Sequence, residues 1–552
     1  MSDRTELDTR SEKAENKPDA LQKEAASELS SRVNVVGDRA QLLDTRTVTP
    51  RGTKMGPTDP EQEITVTVMV KSKASVAEMD KCLQEIQEGK RKPLTDKEFT
   101  AQFGADSTAM SNVLKFAKDN SLNTAKADAE SGQVKLTGKV KDFQKAFGVQ
   151  LDDYQNGPIV SRGRTGDISV PRALSNDIQG VFGLDNSELA KPHFKKLDNA
   201  DPRASGSFMP QEVADLYHFP KESMGNGQSV AIVELGGGLV LDDNAKYYSD
   251  NGLPQPKNIQ IVGVDGADNK PGADADGEVA LDTQIIGAVA PEANQQLIFA
   301  PNSEQGFVDA ITRATFPEKG EMQNSAISIS WGAPESGWTD QAIQNMDIAF
   351  KKAALKGIST FAASGDNGAK DGTSAYTADF PSSDPYVTGT GGTRLDHSGK
   401  EVTWNDGSFG GSTGGGISSK FDVPDFQKGI NLPANANKDG KVGRGDPDVA
   451  GDASPNSGYV IRYNGSETVT GGTSAVAPLY AALMMRVNGA LGRPAGYLNP
   501  FLYKNGNSGI FKDITSGNNN GYSAGPGWDA ATGWGSIRGD KFLEALRNQK
   551  QA

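Results

Sequence analysis

Cysteine and histidine are scarce in this sequence. Its 552 residues include one cysteine, Cys82, so no disulfide bond can form within the chain. The three histidines, His193, His218 and His397, offer few candidates for a catalytic imidazole. No apolar run is long enough to cross a membrane. These absences exclude a fold held by intrachain disulfides and a protein anchored by apolar helices.

Positive charge is also in deficit. The formal net charge is −14 and the sequence pI is about 4.9. An acidic surface disfavours nucleic acids and anionic membranes as partners, so we expect neither. The same charge is compatible with simple solubility, or with an acidic working environment. The N-terminal segment is polar and lacks an apolar core, so no signal peptide is recognisable there.

The chain divides into four segments, and the first three differ clearly in composition. Residues 1–58 are polar and charged, and they predict a disordered tail. Within residues 59–188, strand-like alternation at 64–70 and 134–140 stands among helical apolar stripes, which predicts a small α+β domain. Residues 189–208 lack periodicity and contain Pro, Gly, Ser and charge. They predict an exposed linker with a cleavage site.

The fourth segment, residues 209–552, has another pattern. Short continuous apolar runs alternate with helical stretches, and they lie at 230–235, 296–300, 326–330 and 358–363. Such runs are typical of a buried parallel sheet built from βαβ units, so we predict an α/β domain. In these sheets the functional site lies beyond the carboxyl ends of the strands.

The most informative motif is the string GGTSAVAP around Ser474. Small residues on both sides let the backbone turn sharply and present the hydroxyl at the start of a helix. A developing negative charge is stabilised there. A serine that only caps the helix is the simpler alternative. The length of the string favours a nucleophile.

A serine nucleophile needs a base, and the base predicted here is a carboxylate. None of the histidines has the small-residue surroundings of a site. Glu278 and Asp282 are four residues apart, so a helix places both on one face together with Ile285. Apolar residues on that face disfavour the alternative, a solvated acidic surface. We predict that the pair shares a proton, with Glu278 next to Ser474 and Asp282 orienting it.

A third acid, Asp366, follows a predicted strand in the string AASGDNG. It could be an ordinary turn residue. If Ser474 attacks a carbonyl group, however, an oxyanion donor is needed nearby. A protonated Asp366 can donate that hydrogen bond.

Together these motifs resemble the sedolisin family of serine-carboxyl peptidases. The strings GEVALD, SISWG, AASGDNG and GGTSAVAPL occur in the family's order, and the resemblance covers roughly residues 60–550. It implies an α/β catalytic domain with the subtilisin-like fold and a mainly parallel central sheet. It also implies that residues 59–188 are a small α+β, ferredoxin-like pro-domain, which covers the catalytic face and assists folding.

The resemblance also implies individual roles. The implied nucleophile, general base and acid, its partner, and the oxyanion residue are Ser474, Glu278, Asp282 and Asp366. Glu234 and Trp331 are implied in a supporting hydrogen-bond shell. Carboxyl side chains in water have pKa values of about 4. Because Glu278 must be partly ionised while Asp366 is protonated, we expect a bell-shaped pH profile with an acidic optimum.

A cation site is predicted near the C-terminus. The strings FKDITSGNNN and AGPGWD combine two carboxylates with glycine-rich carbonyls, which suit calcium, although ordinary turns are an alternative. The resemblance implies one Ca²⁺ bound by the side chains of Asp513 and Asp529 and the carbonyls of Ile514, Gly525 and Gly527. We expect this ion to stabilise a chain that lacks disulfides.

Two segments are predicted to pair, as strand edges, with an extended peptide substrate. They are Ser330 to Gly332 and the glycines at 414–416, with Gly415 at their centre. The resemblance also implies that Asp379 lies near the specificity pocket and favours a basic residue before the cut bond.

We therefore expect a secreted endopeptidase, made as a self-activating precursor and monomeric after maturation. Its partners would be protein or peptide substrates and its own pro-domain as intramolecular inhibitor. A tripeptidyl aminopeptidase of the same family is the alternative, and a substrate with a blocked amino terminus separates the two. A non-catalytic binding protein on a protease scaffold would lack a catalytic residue, and none is missing here.

Overall fold

The structure is a computed structural model that describes residues 35–42, 45, 50, 52–197 and 206–549. The tail predicted for residues 1–58 therefore lies largely outside the described residues. Its described part forms strands instead of disordered chain, because its backbone pairs with later strands: Thr53–Pro57 pairs antiparallel with Gln150–Asn156. Polar composition gave no sign of this pairing.

The described residues of the N-terminal domain form ten strands and four helices. The strands are β1 (Val35–Val36), β2 (Arg39–Gln41), β3 (Thr53–Pro57), β4 (Glu63–Val70), β5 (Asn123–Ala127), β6 (Gln133–Lys139), β7 (Gln150–Asn156), β8 (Ile159–Thr165), β9 (Ser169–Pro171) and β10 (Ile178–Phe182). The helices are α1 (Val76–Gln87), α2 (Asp96–Phe103), α3 (Ser107–Asp119) and α4 (Val140–Phe147).

The principal sheet of this domain has the order β10-β4-β6-β5, and all of its pairs are antiparallel. This is the strand order of a ferredoxin-like βαββαβ unit, so the predicted α+β class is confirmed. Local sequence sets the helix ends. Ser75 and Thr95 form capping boxes at the starts of α1 and α2, and Gly148 ends α4 with φ 66°.

The C-terminal domain is built on an eight-stranded sheet. Its strands are β13 (Ser229–Glu234), β14 (Asn258–Gly263), β15 (Asn294–Phe299), β16 (Ala326–Ile329), β18 (Ser359–Ala363), β20 (Thr388–Leu395), β21 (Glu401–Thr403) and β24 (Val449–Asp452). The order is β14-β15-β13-β16-β18-β20-β21, with β24 also paired to β20, and every pair except β20–β21 is parallel. The parallel sheet predicted from the apolar runs is confirmed.

Helices cover both faces of this sheet. They are α5 (Pro210–Leu216), α6 (Leu241–Asp250), α7 (Asp276–Val289), α8 (Glu304–Thr315), α9 (Asp340–Leu355), α10 (Gly407–Gly410), α11 (Val476–Leu491), α12 (Asn499–Lys504) and α13 (Gly539–Asn548). One hydrophobic core contains the buried side chains of α7 and α11, and the other contains those of α8 and α9. None of the helices in the described ranges combines the length and apolarity needed to span a bilayer.

Short strands surround the sheet. They are β11 (Lys191–Pro192), β12 (Lys195–Lys196), β17 (Trp331–Pro334), β19 (Asp379–Phe380), β22 (Gly416–Ile417), β23 (Gly445–Asp446), β25 (Tyr459–Tyr463), β26 (Ser466–Gly471), β27 (Phe511–Lys512) and β28 (Ser536–Ile537). Of these, β11 and β12 belong to the segment that joins the two domains.

The two domains share a polar and apolar interface. Asp309, buried on α8, accepts hydrogen bonds from Thr67 Oγ1 and Gln133 Nε2 of the N-terminal domain, both at 2.7 Å. Lys135 Nζ lies 3.1 Å from the same carboxylate. Apolar side chains of α1 and α2 pack on Leu355 and its neighbours. The interface is therefore extensive and independent of the joining segment.

The described part of the joining segment, residues 189–197, is mostly buried or half-buried, although an exposed linker is predicted for residues 189–208; only Lys191 and Lys196 are exposed in this part. Ala190 and His193 are each only 4% exposed. Strand β11 pairs antiparallel with β17, and β12 pairs antiparallel with β26, so backbone hydrogen bonds hold the segment in a cleft. These bonds leave no periodic signal in the sequence. Residues 198–205 lie outside the described residues.

Candidate active site

Three carboxyl groups meet in the interior beside the N-terminal part of α7. Glu278 and Asp282 lie on this helix, Glu234 ends strand β13, and all three are fully buried. Burial raises the pKa of all three, to about 8 for Asp282, and Asp282 raises the pKa of both glutamates further. Trp331 Nε1 donates to Glu234 Oε2 at 3.0 Å. Because the acids interact this strongly, we expect their protons to be lost in steps that belong to the group and not to single residues.

Asp282 is oriented by Ser330. The Ser330 hydroxyl lies 2.9 and 2.8 Å from the two oxygens of the Asp282 carboxyl group. This contact favours the ionised form and partly offsets the effect of burial on the pKa of Asp282. Asp282 therefore has a fixed orientation next to Glu278.

Ser474 lies in a 3-10 turn at the start of α11. Burial raises the pKa of Glu278, and the nearby Ser474 hydroxyl offsets only part of this increase. In this state the Ser474 hydroxyl donates to Ser330 O at 3.1 Å, and neither Glu278 oxygen has a partner of normal hydrogen-bond geometry. Catalytic hydrogen bonds often tighten only when substrate binds.

Asp366 follows strand β18 and contacts Thr473, the residue before Ser474. Its Oδ1 accepts from Thr473 N at 2.8 Å and Thr473 Oγ1 at 3.0 Å, while Oδ2 has no partner. Burial raises the pKa of Asp366 above 3.8, against the lowering effect of His193 and Lys195. A carboxyl oxygen that is buried and unpaired favours the protonated form, which can donate.

The joining segment carries a carbonyl group into this centre. Ser474 N donates to His193 O at 3.0 Å, and His193 N donates to Ser330 O at 3.0 Å. A Cβ atom on Gly472 would lie 2.1 Å from His193 O and 2.6 Å from Asp366 Oδ2. The His193 carbonyl oxygen thus lies between the Ser474 amide and the free Asp366 oxygen, which is where an oxyanion would be bound.

The imidazole of His193 is not turned towards Ser474. Only the main chain of His193 contacts Ser474, and its side chain turns away, with Nε2 3.1 Å from Asp379 Oδ2. Asp379, the residue predicted for the specificity pocket, is therefore next to His193, which precedes the His193–Phe194 peptide bond beside Ser474. Gly332 permits this approach, because a Cβ there would lie 2.0 Å from Asp379 Oδ1. The sequence does not predict this position for His193, because its surroundings lack the small residues that mark a site.

Relatives with known names match this chain along most of its length. The family described as Pro-kumamolisin, activation domain, matches residues 50–187. Kumamolisin from Bacillus sp. (strain MN-32) is 40% identical over 523 residues, which are 90% of this chain and 94% of that protein. The chain belongs to the sedolisin family of serine-carboxyl peptidases. It is thus a peptidase precursor, and its N-terminal domain is an activation pro-domain.

Other members agree with this assignment. Sedolisin from Pseudomonas sp. (strain 101) is 27% identical over 491 residues, which are 82% of each chain. The solved structure of Pseudomonas sedolisin, a serine-carboxyl proteinase complexed with two molecules of pseudo-iodotyrostatin, is similar with a TM-score of 0.56 and 28% identity, covering 63% of this chain and all of that one. The predicted subtilisin-like fold of the sedolisin catalytic domain is therefore confirmed.

The predicted substrate edge at 414–416 forms no strand pairing with the part of the joining segment that the structure describes, residues 189–197. Gly414 N donates to Gly365 O, and β22, which begins at Gly416, already pairs with β23. A Cβ on Gly415 would lie 2.7 Å from Ala530 O. The backbone on both sides of Gly415 is therefore already paired, and Gly415 as a substrate edge stays a prediction. Ser330 and Gly332, in contrast, do pair with the segment.

The C-terminal loop brings the two predicted calcium carboxylates to one turn. Gly527 N donates to Asp513 Oδ2 at 2.8 Å, and Gly525 N donates to Asp529 Oδ2 at 3.0 Å. No cluster of three or more acidic, histidine or cysteine side chains suited to a metal ion is found among the residues described. A cation site here would therefore combine two carboxylates with main-chain carbonyls, which suits Ca²⁺.

Proposed function

We propose that this sedolisin is an acid-acting endopeptidase in which Ser474 attacks the scissile carbonyl group. Glu278 accepts the serine proton and later donates it to the leaving amine, while Asp282 holds Glu278 in position. The Ser474 amide and protonated Asp366 bind the oxyanion. The observation that carries this proposal is the 3.0 Å contact between Ser474 N and His193 O.

The position of the joining segment supports its role as the first substrate. With His193 before the scissile bond, strand β11 lies on the acyl side and β12 on the leaving-group side. Leu197 N continues the pairing by donating to Val469 O at 3.0 Å. An extended chain held by backbone bonds on both sides of a nucleophile matches strand-addition recognition of substrates.

The contacts of Asn302 favour an endopeptidase over a tripeptidyl aminopeptidase. Asn302 Oδ1 accepts from Ala190 N at 2.9 Å and Leu189 N at 3.3 Å, and Asn302 Nδ2 donates to Ala190 O at 2.8 Å. Ala190 and Leu189 are the fourth and fifth residues before the His193–Phe194 bond. An enzyme that removes three residues from an amino terminus needs a cleft that is closed beyond the third residue before the cut bond. Here the chain continues past that position to Ala190 and Leu189.

Incubation in acid should cut the chain between His193 and Phe194. Mass spectrometry of the products measures the position, and a Ser474→Ala variant should stay at full length because it lacks the attacking oxygen. An acetylated peptide spanning residues 189–197 should be cut at the same bond by the mature enzyme. Refusal of this blocked peptide, together with cutting of a free-amine one, would favour the tripeptidyl alternative.

The proposal includes a secreted, monomeric mature enzyme with a pocket for a basic residue before the cut bond. The pairing of His193 with Asp379 supports the pocket assignment. Size-exclusion chromatography of the acid-cut sample tests the monomeric state, and recovery from culture medium tests secretion.

We also propose one Ca²⁺ bound by the Asp513 and Asp529 side chains and the carbonyls of Ile514, Gly525 and Gly527. Chelation with EDTA should lower Tm by about 5 °C, since a ligand bound only by the folded state stabilises it by mass action. Differential scanning calorimetry measures the shift. In an Asp513→Asn variant, EDTA should have little effect on Tm. An unchanged Tm in the wild-type protein would remove this site from the proposal.

A further inference from the structure

Phe194, which follows the His193–Phe194 bond beside Ser474, occupies an aromatic niche. The Phe194 ring meets Tyr463, with centroids 6.4 Å apart and planes at 80°, an edge-to-face arrangement. Both side chains are half-buried against the larger core. Such pairs attract beyond the effect of burial alone. The niche lies on the leaving-group side of the scissile bond.

A glycine leaves the room for this ring. A Cβ atom on Gly277 would lie 2.7 Å from Phe194 Cζ and 3.1 Å from Tyr463 Cζ. A Cβ atom less than about 3.0 Å from a neighbouring heavy atom forces one of the two to move. Any side chain at position 277 would therefore occupy the space of the substrate ring. Gly277 also immediately precedes Glu278, which places the niche beside the proposed base.

Tyr463 is held in place by the helix that carries Glu278. On α7, Gln284 Nε2 donates to Arg462 O at 2.7 Å, and Arg462 N donates to Gln284 Oε1 at 2.8 Å. These two bonds fix the backbone next to Tyr463, and pairing of β25 with β26 fixes it from the other side. The tyrosine ring is therefore part of a rigid wall, as a specificity site requires.

The alternation of the bound strand brings a second side chain to the same tyrosine. Side chains two residues apart in an extended chain point the same way. Accordingly Lys196 Nζ lies 5.9 Å from the centre of the Tyr463 ring, whereas Lys195 Nζ points to Asn367 Oδ1 at 3.5 Å. The face of the tyrosine thus meets a cation while its environment also accommodates the Phe194 ring.

We propose that Tyr463 and Gly277 form the subsite for the residue after the cut bond and select an aromatic side chain there. This inference rests on the proposed endopeptidase function. The chemical class of preferred substrate is an extended peptide with Phe or Tyr directly after the cut bond and a basic residue two positions further on. Neither residue is needed for proton transfer, so their effects belong to substrate choice.

The test uses acid-matured enzyme and acetylated peptides Leu-Ala-Lys-Pro-His-X-Lys-Lys-Leu, in which X is Phe, Tyr, Leu or Ala. Wild type should cut the Phe peptide with a kcat/KM about tenfold above that for the Ala peptide. Tyr463→Ala should reduce this ratio to about two, whereas Tyr463→Phe keeps the ring and should retain the preference. A ratio that persists in Tyr463→Ala would overturn the proposal.

Gly277→Ala supplies an independent arm of the test. The added methyl group should lower kcat/KM for the Phe peptide far more than for the Ala peptide, because only the ring needs the space. Equal losses on both peptides would count against the subsite. Leu241→Ala, which trims an exposed apolar side chain elsewhere, is the matched control and should leave the ratio unchanged.

The outcomes distinguish the two levels of inference. Equal cutting of all four peptides by wild type overturns the subsite but leaves the endopeptidase intact. Failure to cut any peptide, with Ser474→Ala indistinguishable from wild type, overturns the proposed function itself.

Discussion

Replacing Glu278 with glutamine is expected to lower kcat/KM for peptide hydrolysis by about 10³-fold or more. The amide is nearly the same size but cannot accept the proton of Ser474. Ser474→Ala should lose a similar amount, and the double variant should lose little more, because residues that act in one step are not additive. Initial rates on a blocked peptide at acidic pH measure all three variants against wild type.

The controls separate loss of chemistry from loss of structure. Glu544→Gln makes the same chemical change on α13, outside the site, and should retain full activity. The circular dichroism spectrum and Tm of Glu278→Gln should remain close to wild type, since a neutral side chain suits this buried position. Activity within tenfold of wild type would show that another group takes the proton.

The pH profile should be bell-shaped, with an acidic optimum. Burial raises the pKa of Asp366, so the protonated donor persists above the pH at which an ordinary aspartic acid ionises. Activity should fall as pH rises through that raised value, because the ionised carboxylate repels the oxyanion. On the acidic side, activity should fall once Glu278 is protonated and cannot accept the serine proton. In the occluded precursor, burial raises the pKa of Glu278 and of its neighbours, to about 8 for Asp282, so the acidic optimum requires these pKa values to fall when the joining segment leaves and water enters the site.

Asp366→Asn identifies the group behind the alkaline limb. An asparagine amide donates at every pH, so the decline of kcat/KM at higher pH should move upwards by about one unit or more, whatever the maximal rate. Profiles of kcat/KM from strongly acidic to mildly alkaline pH measure the shift. An alkaline limb identical to that of wild type would mean that Asp366 is not the titrating donor.

Sequence predicted the architecture well where burial imposes a pattern. The apolar runs at 230–235 and 358–363 are strands β13 and β18 because both faces of a parallel sheet are covered. The alternation at 64–70 became β4, which has one face on a core. Strands held mainly by backbone bonds were not predicted. The segment at 53–57 is largely exposed, so nothing in its side chains reported the pairing.

Sequence could place acids on one helix but could not predict what that helix faces. The spacing of Glu278 and Asp282 indicated a shared face, and both are buried as expected. Contacts between distant parts of the chain could not be predicted. Ser330 orients Asp282, and Ser474 donates to Ser330 O in this state. The passage of His193 through the same centre depends on tertiary structure alone.

The interface around Asp309 remains intact when the joining segment is cut. The bonds from Thr67 and Gln133 and the contact with Lys135 lie far along the chain from His193 and do not require the severed peptide link. We therefore expect cleavage to leave two associated fragments, whose dissociation is a separate equilibrium governed by dilution. A freshly cut molecule should remain occluded by its N-terminal fragment, so full activity should lag behind the appearance of the cut.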